Sequence, residues 1–382
     1  MGKEIKSYFN YKRLLIYIFL AALIIINFNR SKKLFKFDYL TNYTFNEKEY
    51  EKLYLNSQWV IPESKNSIGD DILYTYAGYK YINGTDPSLL NPEHPPLAKN
   101  LIGLSIIFLK NQYYYSFISG ILAIFSFYLL SKKIIKSSII AFLTSMLLFF
   151  EPLFVANYFS PLLDLLMFAF LNFYFIQIID FSHNQSIKNL IFAQVFLGLI
   201  ISTKFFLIAI PIIVSSFIFL FFKNYKLSIK YLFSLTLSFL IYIVNYFQFF
   251  IKGKNIVDFL KVQKFIFNFH IQGRKDIIIF NDSFFKLIFL GRFYLDNKKL
   301  ISIENHYSLL WPSSLSGFII FLIMNFKKII KKQESILLFW IFFYFILISN
   351  SFVNSRYLIL ILPYFYFFSA NLLNKIIKSI KI

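Results

Sequence analysis

Apolar runs of roughly 15 to 20 residues recur along the chain between short polar connections, each long enough to cross a hydrocarbon core of roughly 30 Å as a helix. The pattern predicts about ten transmembrane helices, near 11–28, 112–131, 138–154, 162–180, 189–203, 205–222, 231–250, 313–326, 335–349 and 357–374. Two longer stretches, 29–111 and 251–312, interrupt this rhythm, and only they hold enough polar chain to build a site. In the first, "IGDDILYTYAGYKYINGTDPSLL" predicts a helix from Asp70 to Asn83, led in by Gly69 and ended by Gly84, Asp86 and Pro87. A second helix is expected from Pro96 in "NPEHPPLAKNLIGLSI". The prolines before it stiffen the approach, so Asn91, Glu93, His94 and Pro95 are expected to run extended. Asn255 to His270 mixes apolar residues with lysines, as a helix lying in the membrane interface does. Residues 1–382 therefore read as a single membrane domain, an all-α polytopic protein with two long loop segments.

Composition agrees with this reading. A chain that is 58% hydrophobic and only 15% charged lacks the polar surface a water-soluble globule needs. The first span follows Lys12 and Arg13 without a small-residue cleavage site, so it reads as a retained anchor. A net charge of +21 would suggest nucleic acid in a soluble protein. Here the lysines sit between apolar runs, where the positive-inside rule expects them, and the expected partner is anionic lipid.

Those lysines also set the orientation. Lys132, Lys133 and Lys136 fall in one connection, Lys223, Lys226 and Lys230 in another, and Lys327, Lys328, Lys331 and Lys332 in a third, with Lys375, Lys378 and Lys381 in the tail. The alternate connections hold almost none. Both termini are thus expected in the cytoplasm of a plasma-membrane protein, with 29–111 and 251–312 on the outer face. With no Cys and four scattered His, disulfides, thiolate metal sites and HxxH pairs are excluded, and any metal would rest on carboxylates.

Charged groups of both signs are then expected at the outer surface. Asp70 and Asp71 open a helix, where the dipole favours their charge and mutual repulsion suits one of them to act as a base; they read equally as ordinary helix-start aspartates. Lys99 stands one turn into the next helix. Its neighbourhood reads either as an anion site or as an interfacial helix with a snorkelling lysine. Glu151 at the exit of one span and Asp164 at the entry of the next are acids at membrane depth, which are costly unless paired. Lys204 and Arg356 stand at two further outer helix junctions.

The acidic pair followed by "HPPLAK", with "LLD" after a span exit, "STK" and a late "SRY…LP", resembles membrane glycosyltransferases of the C-type fold, in the protein O-mannosyltransferase and aminoarabinose-transferase-like group. The resemblance runs from about residue 70 to 370. It implies a polyprenyl-phosphate sugar donor and transfer to an acceptor hydroxyl of a protein, lipid or glycan, with inversion at the anomeric carbon and an active site on the outer face. It implies Asp70 as the base, with Asp71 and Asp164 as further catalytic carboxylates. His94, Lys99, Lys204 and Arg356 would hold the donor phosphate. Glu93, Glu304 and His306, with Trp311 nearby, are weaker candidates for an acceptor-selecting lid. No metal site is assigned, no cofactor is certain, and a divalent metal is left open.

The pattern departs from the family in places. The pair is Asp-Asp where Asp-Glu is common, Phe159 stands where an arginine often precedes the "LLD" aspartate, and about 40 residues (29–69) precede the pair. Lys204 is a candidate replacement for the missing cation. A transporter or flippase of lipid-linked sugars is the main alternative, but transporters place binding groups near the midplane in broken helices. A ligase using a lipid-diphosphate donor and a structural scaffold are further alternatives.

Overall fold

The computed structural model describes residues 11–204, 206–271, 282–295, 299–303, 306–330, 332–349 and 353–379. Their helices are α1 (Tyr11–Ser31), α2 (Asp38–Thr41), α3 (Glu47–Leu55), α4 (Asp70–Ile82), α5 (Leu97–Leu109), α6 (Tyr113–Ile135), α7 (Ser138–Phe149), α8 (Pro152–Tyr158) and α9 (Asp164–Asn184). There follow α10 (Ile187–Thr203), α11 (Ala209–Lys223), α12 (Tyr225–Val244), α13 (Phe247–Ile251), α14 (Ile256–Ile271), α15 (Ser283–Leu290), α16 (Leu310–Ile329), α17 (Ser335–Ser349) and α18 (Leu362–Ser379). Five helical stretches are long and apolar enough to cross a membrane: Leu14–Leu34, α6, α9, Phe206–Lys223 and α12. The paired α7 and α8 make a sixth if they count as one broken span. Ten crossings are not reached among the described residues: α10, α16 and α17 are shorter apolar helices, and α18, at the tenth predicted span, is not among the helices long and apolar enough to cross. The protein is a multi-pass membrane protein.

The bundle is built on α9, which packs against α6 and α10, while α10 packs on α12, α11 on α17 and α16 on α18. Hydrophobic burial gives little drive between helices in lipid, so close packing and polar contacts must hold them. Tyr174 of α9 shares hydrogen bonds with Ser216 of α11 (2.7 Å) and Tyr231 of α12 (2.8 Å). Asn172 of α9 donates to Ser126 of α6 (3.1 Å) and accepts from Tyr364 of α18 (2.9 Å). Outward faces stay apolar, with Phe233 and Ile323 about three-quarters exposed, as lipid-facing positions require.

One expectation about the bundle needs correction. The third span is not continuous: α7 and α8 meet at a 66° bend. Glu151 precedes Pro152, which disfavours helical geometry and leaves Glu151 extended, and Pro152 then starts α8. The Glu151 side chain is fully buried and accepts from Tyr366 (2.6 Å), Trp311 Nε1 (2.8 Å) and Asn27 Nδ2 (3.3 Å), so it ties α1, α16 and α18 to the break. The all-α expectation holds, with one short hairpin beside the helices. Strands β1 (Arg292–Leu295) and β2 (Lys299–Ser302) pair antiparallel, with Phe293 opposite Ile301. Phe293 is buried and Leu300 exposed, the period-two alternation of a hairpin.

The first long segment folds around α4 and α5. Their backbones touch, because a Cβ on Gly78 would lie 2.2 Å from the Lys99 carbonyl oxygen and one on Gly103 would lie 2.2 Å from that of Gly78. The second long segment reaches back to the first. From within it Lys254 pairs with Asp86 (3.1 Å) and His270 Nε2 contacts the Glu93 carbonyl (2.9 Å), and just before it Gln248 Nε2 donates to the Tyr81 carbonyl (2.6 Å).

The lysine-rich connections gather at one end of the bundle, where Lys133 pairs with Asp180, Lys375 approaches Glu334 (3.5 Å) and Gln333 bonds His183. The starts of α4 and α9 and the end of α10 lie at the other end.

Candidate active site

Four chain segments converge at that other end. Asp70 is the first residue of α4, Asp164 the first of α9, Lys204 follows the last turn of α10, and Arg356 lies in a 3-10 turn (Ser355–Leu360) ahead of α18. Arg356 Nη2 donates to Asp70 Oδ2, and Lys204 Nζ lies 2.5 Å from Asp164 Oδ1. Lys204 also sits 5.1 Å from the centre of the Tyr357 ring. The Asn354 side chain caps the 3-10 turn by accepting from the Arg356 N–H, which fixes the backbone at Arg356. Burial works against the charge of Arg356, but Asp164 and Asp70 outweigh it and hold its pKa above the ordinary value. The two ion pairs thus form one electrostatic cluster.

His94 stands beside this cluster. Its ring packs against His270 (5.1 Å between ring centres) and edge-on to Tyr74 (5.8 Å), and its buried Nδ1 has no hydrogen-bond partner among the described residues. Burial pushes its pKa well below the usual histidine range, and His270, Lys204, Lys99 and Arg356 push the same way. Burial and these neighbouring charges therefore favour the neutral imidazole.

Lys99 lies elsewhere than expected. Its ammonium is fully buried, surrounded by the carbonyl oxygens of Asn91 (2.6 Å) and His94 (2.7 Å), Asn91 Oδ1 (3.0 Å) and the Tyr81 hydroxyl (3.2 Å). It ties the proline-rich approach to α5 instead of facing an open anion site. Asn91 is not extended either, despite the following proline: at φ 50° it is left-handed, a conformation asparagine tolerates, and this turns both its oxygens toward Lys99. Glu93, also buried, accepts from Asn91 Nδ2; burial raises its pKa, with Lys99 opposing. It belongs to this internal network rather than to an acceptor surface.

The remaining candidates separate from the cluster. Asp71 diverges from Asp70, its carboxylate folding back against Gly69, and it forms no ion pair among the described residues. Trp311 is buried against Glu151 and is no lid. His306 follows the hairpin, half-buried, with no hydrogen bond to Asp70, Asp164, Lys204 or Arg356. Glu304 lies outside the described residues. Tyr74, Asn91 and His270 were missed as site neighbours; of these, His270 at the end of an amphipathic helix was the most readable signal. Among the described residues, no three His, Asp or Glu side chains gather as a metal site.

An apolar groove of about 340 Å³ opens nearby between α5, α6 and the start of α9. Leu101, Leu104, Phe108, Tyr115, Ile118 and Leu166 line it.

No family model matches the chain, and no curated protein sequence matches it. Solved structures that match in fold include the crystal structure of ArnT from Cupriavidus metallidurans bound to undecaprenyl phosphate, with a TM-score of 0.57, and that of the same protein in the apo state, with 0.55. In both, identity is 12% over 82% of this chain. The chain has the ArnT fold. It spans 56% of the length of ArnT, and the C-type fold expected from the sequence is the fold found. The convergence of α4, α9, α10 and the turn before α18 is thus built within the ArnT fold by a chain with little sequence identity to it.

Proposed function

We infer that the protein is a glycosyltransferase that moves a sugar from a polyprenyl-phosphate donor to an acceptor hydroxyl at the outer face of the membrane. The observation that carries this reading is the meeting of Asp70 and Asp164 with Arg356 and Lys204 at one end of a membrane bundle. The ArnT fold supports it, one ArnT structure holding undecaprenyl phosphate. The groove beside Leu166 offers an apolar bed for a prenyl chain within one turn of Asp164. The lysine-rich connections at the opposite end favour an outward-facing site under the positive-inside rule.

The parts suit a direct displacement. Asp70 takes the proton of the acceptor hydroxyl, whose oxygen attacks the anomeric carbon. The bond from that carbon to the phosphate oxygen breaks, and the polyprenyl phosphate leaves with the charge that grows on it held by Arg356 and Lys204. Because the attack is direct, the product has inverted configuration. Neutral His94 adds no positive charge to the cluster; Asp164 fixes Lys204.

Membranes carrying the wild-type chain, Asp70→Asn or Arg356→Ala, supplied with a labelled polyprenyl-phosphate sugar, test this. Label should enter a new glycoconjugate only with the wild type. Transfer surviving both substitutions at normal protein levels rejects the reading, and movement of labelled lipid across vesicles without transfer favours a flippase.

A further inference from the structure

We propose that the Asp70–Arg356 pair is the blocked resting form of the site, and that a lipid phosphate unblocks it by taking Arg356 away from Asp70. The inference rests on the glycosyltransferase reading and adds an order to it: the phosphate-bearing lipid binds first, and only then is Asp70 free to serve the acceptor.

Charge counting gives the first reason. Asp70, Asp164, Lys204 and Arg356 sum to zero, and His94 among them is neutral, so the empty cluster has no unmatched cation waiting for an anion. Arg356 can pair with a phosphate only by giving up its carboxylate, while Lys204 keeps Asp164 and offers the phosphate its remaining N–H groups. Such an exchange keeps the guanidinium paired throughout and avoids the cost of a buried, uncompensated charge. The planar fork of Arg356 fits phosphate as well as carboxylate.

Burial says which carboxylate yields. The Asp164 side chain is 1% exposed and fixed on Lys204, whereas that of Asp70 is 35% exposed. Asp70 can be rehydrated when it lets go; Asp164 cannot. The position of Asp70 in the first turn of α4 supplies a second compensation, because free N–H groups and the helix dipole stabilise its charge without a counter-ion. In the resting state the same carboxylate accepts from the guanidinium, so that oxygen is not open to an acceptor hydroxyl. Arg356 is tethered by the capped 3-10 turn and has only to swing its side chain.

The test measures binding of undecaprenyl phosphate, without sugar, to the full chain in lipid nanodiscs. Removing the competing carboxylate with Asp70→Asn should tighten binding about tenfold, the equivalent of an ion pair worth roughly 1.4 kcal/mol. Asp70→Ser should do the same and serves if the first variant folds poorly. Glu63→Gln, which removes an exposed negative charge outside the cluster, controls for net charge and should leave affinity unchanged. Wild-type binding with equal or weaker binding by both Asp70 variants overturns the exchange and leaves the glycosyltransferase reading standing. Tightening by Glu63→Gln equal to that by Asp70→Asn also overturns it, since bulk charge would then explain the effect. Absence of binding by the wild type and all variants overturns the glycosyltransferase reading itself, and the exchange with it.

Discussion

Arg356 and Asp70, 286 residues apart in sequence, meet through a guanidinium–carboxylate hydrogen bond at the start of α4. The contact joins the first long segment to the turn before the last helix. Under the proposed reaction Asp70→Asn should lower transfer by about 10²- to 10⁴-fold, the range of a lost general base, with unchanged expression and thermal midpoint within a few degrees. A radiolabelled transfer assay reads this. Loss of activity matched by loss of folded protein would make the residue structural instead.

Lys204 and Asp164 should respond differently, because Asp164 is almost fully enclosed. Removing only one partner of a buried pair strands the other charge, at a cost of about 3–5 kcal/mol. Lys204→Met and Asp164→Asn singly should therefore lower the thermal midpoint more than the double variant does. A double-mutant cycle in detergent measures this, and additive losses would argue that the pair is not coupled.

Much of this arrangement was readable in the chain. The span positions followed from apolar runs, and the choice of Asp70, Asp164, Lys204 and Arg356 from charges standing at helix junctions on one side. What was not readable depended on side-chain direction. Asp70 and Asp71 are neighbours in sequence, but successive residues on a helix point about 100° apart, and only Asp70 faces Arg356. Lys99 carried the same motif signal as the others, yet a left-handed Asn91 turns two oxygens toward it and draws it inward. That backbone choice runs against the proline rule and is settled by tertiary contact. Likewise nothing local told Glu151 apart from Asp164. The partners that distinguish them, Tyr366 and Trp311 for one and Lys204 for the other, come from remote segments.

Gly78 should tolerate no side chain. A methyl there would meet the Lys99 carbonyl carbon and oxygen at 3.0 and 2.2 Å, so α5 must move, and with it the approach that positions His94. Gly78→Ala is expected to cost about 1–3 kcal/mol by overpacking, and to reduce transfer in the molecules that remain folded. Gly253→Ala probes glycine replacement where nothing lies within 4 Å, so any loss there reflects its φ of +80° alone.

Glu151 should affect stability more than chemistry. Three donors converge on its carboxylate. Glu151→Gln keeps one acceptor oxygen, and Glu151→Ala leaves the Tyr366 and Trp311 donors unmatched at about 1–3 kcal/mol each, while Asn27 Nδ2 retains the Leu147 carbonyl. Thermal midpoints should fall in that order, with activity per folded molecule retained. A loss of activity in Glu151→Gln at normal stability would place this carboxylate in the reaction.

His94 sets an acid limit. Its folded pKa lies below the ordinary 6.5, so below pH 6.5 the unfolded chain takes up a proton that the native imidazole refuses. The native state's stability is therefore fully present above pH 6.5 and declines as pH falls, by up to about 1.4 kcal/mol per pH unit. The facing groups sharpen this: His270 on α14, Lys99 on α5, Lys204 and Arg356 all disfavour a further positive charge. His94→Gln removes the titrating group while retaining polarity. Its thermal midpoint should consequently fall less between pH 7 and pH 5 than that of the wild type. Parallel declines in the two proteins would mean that His94 takes up its proton as readily in the folded chain as in the unfolded one, and that its burial does not disfavour the charge.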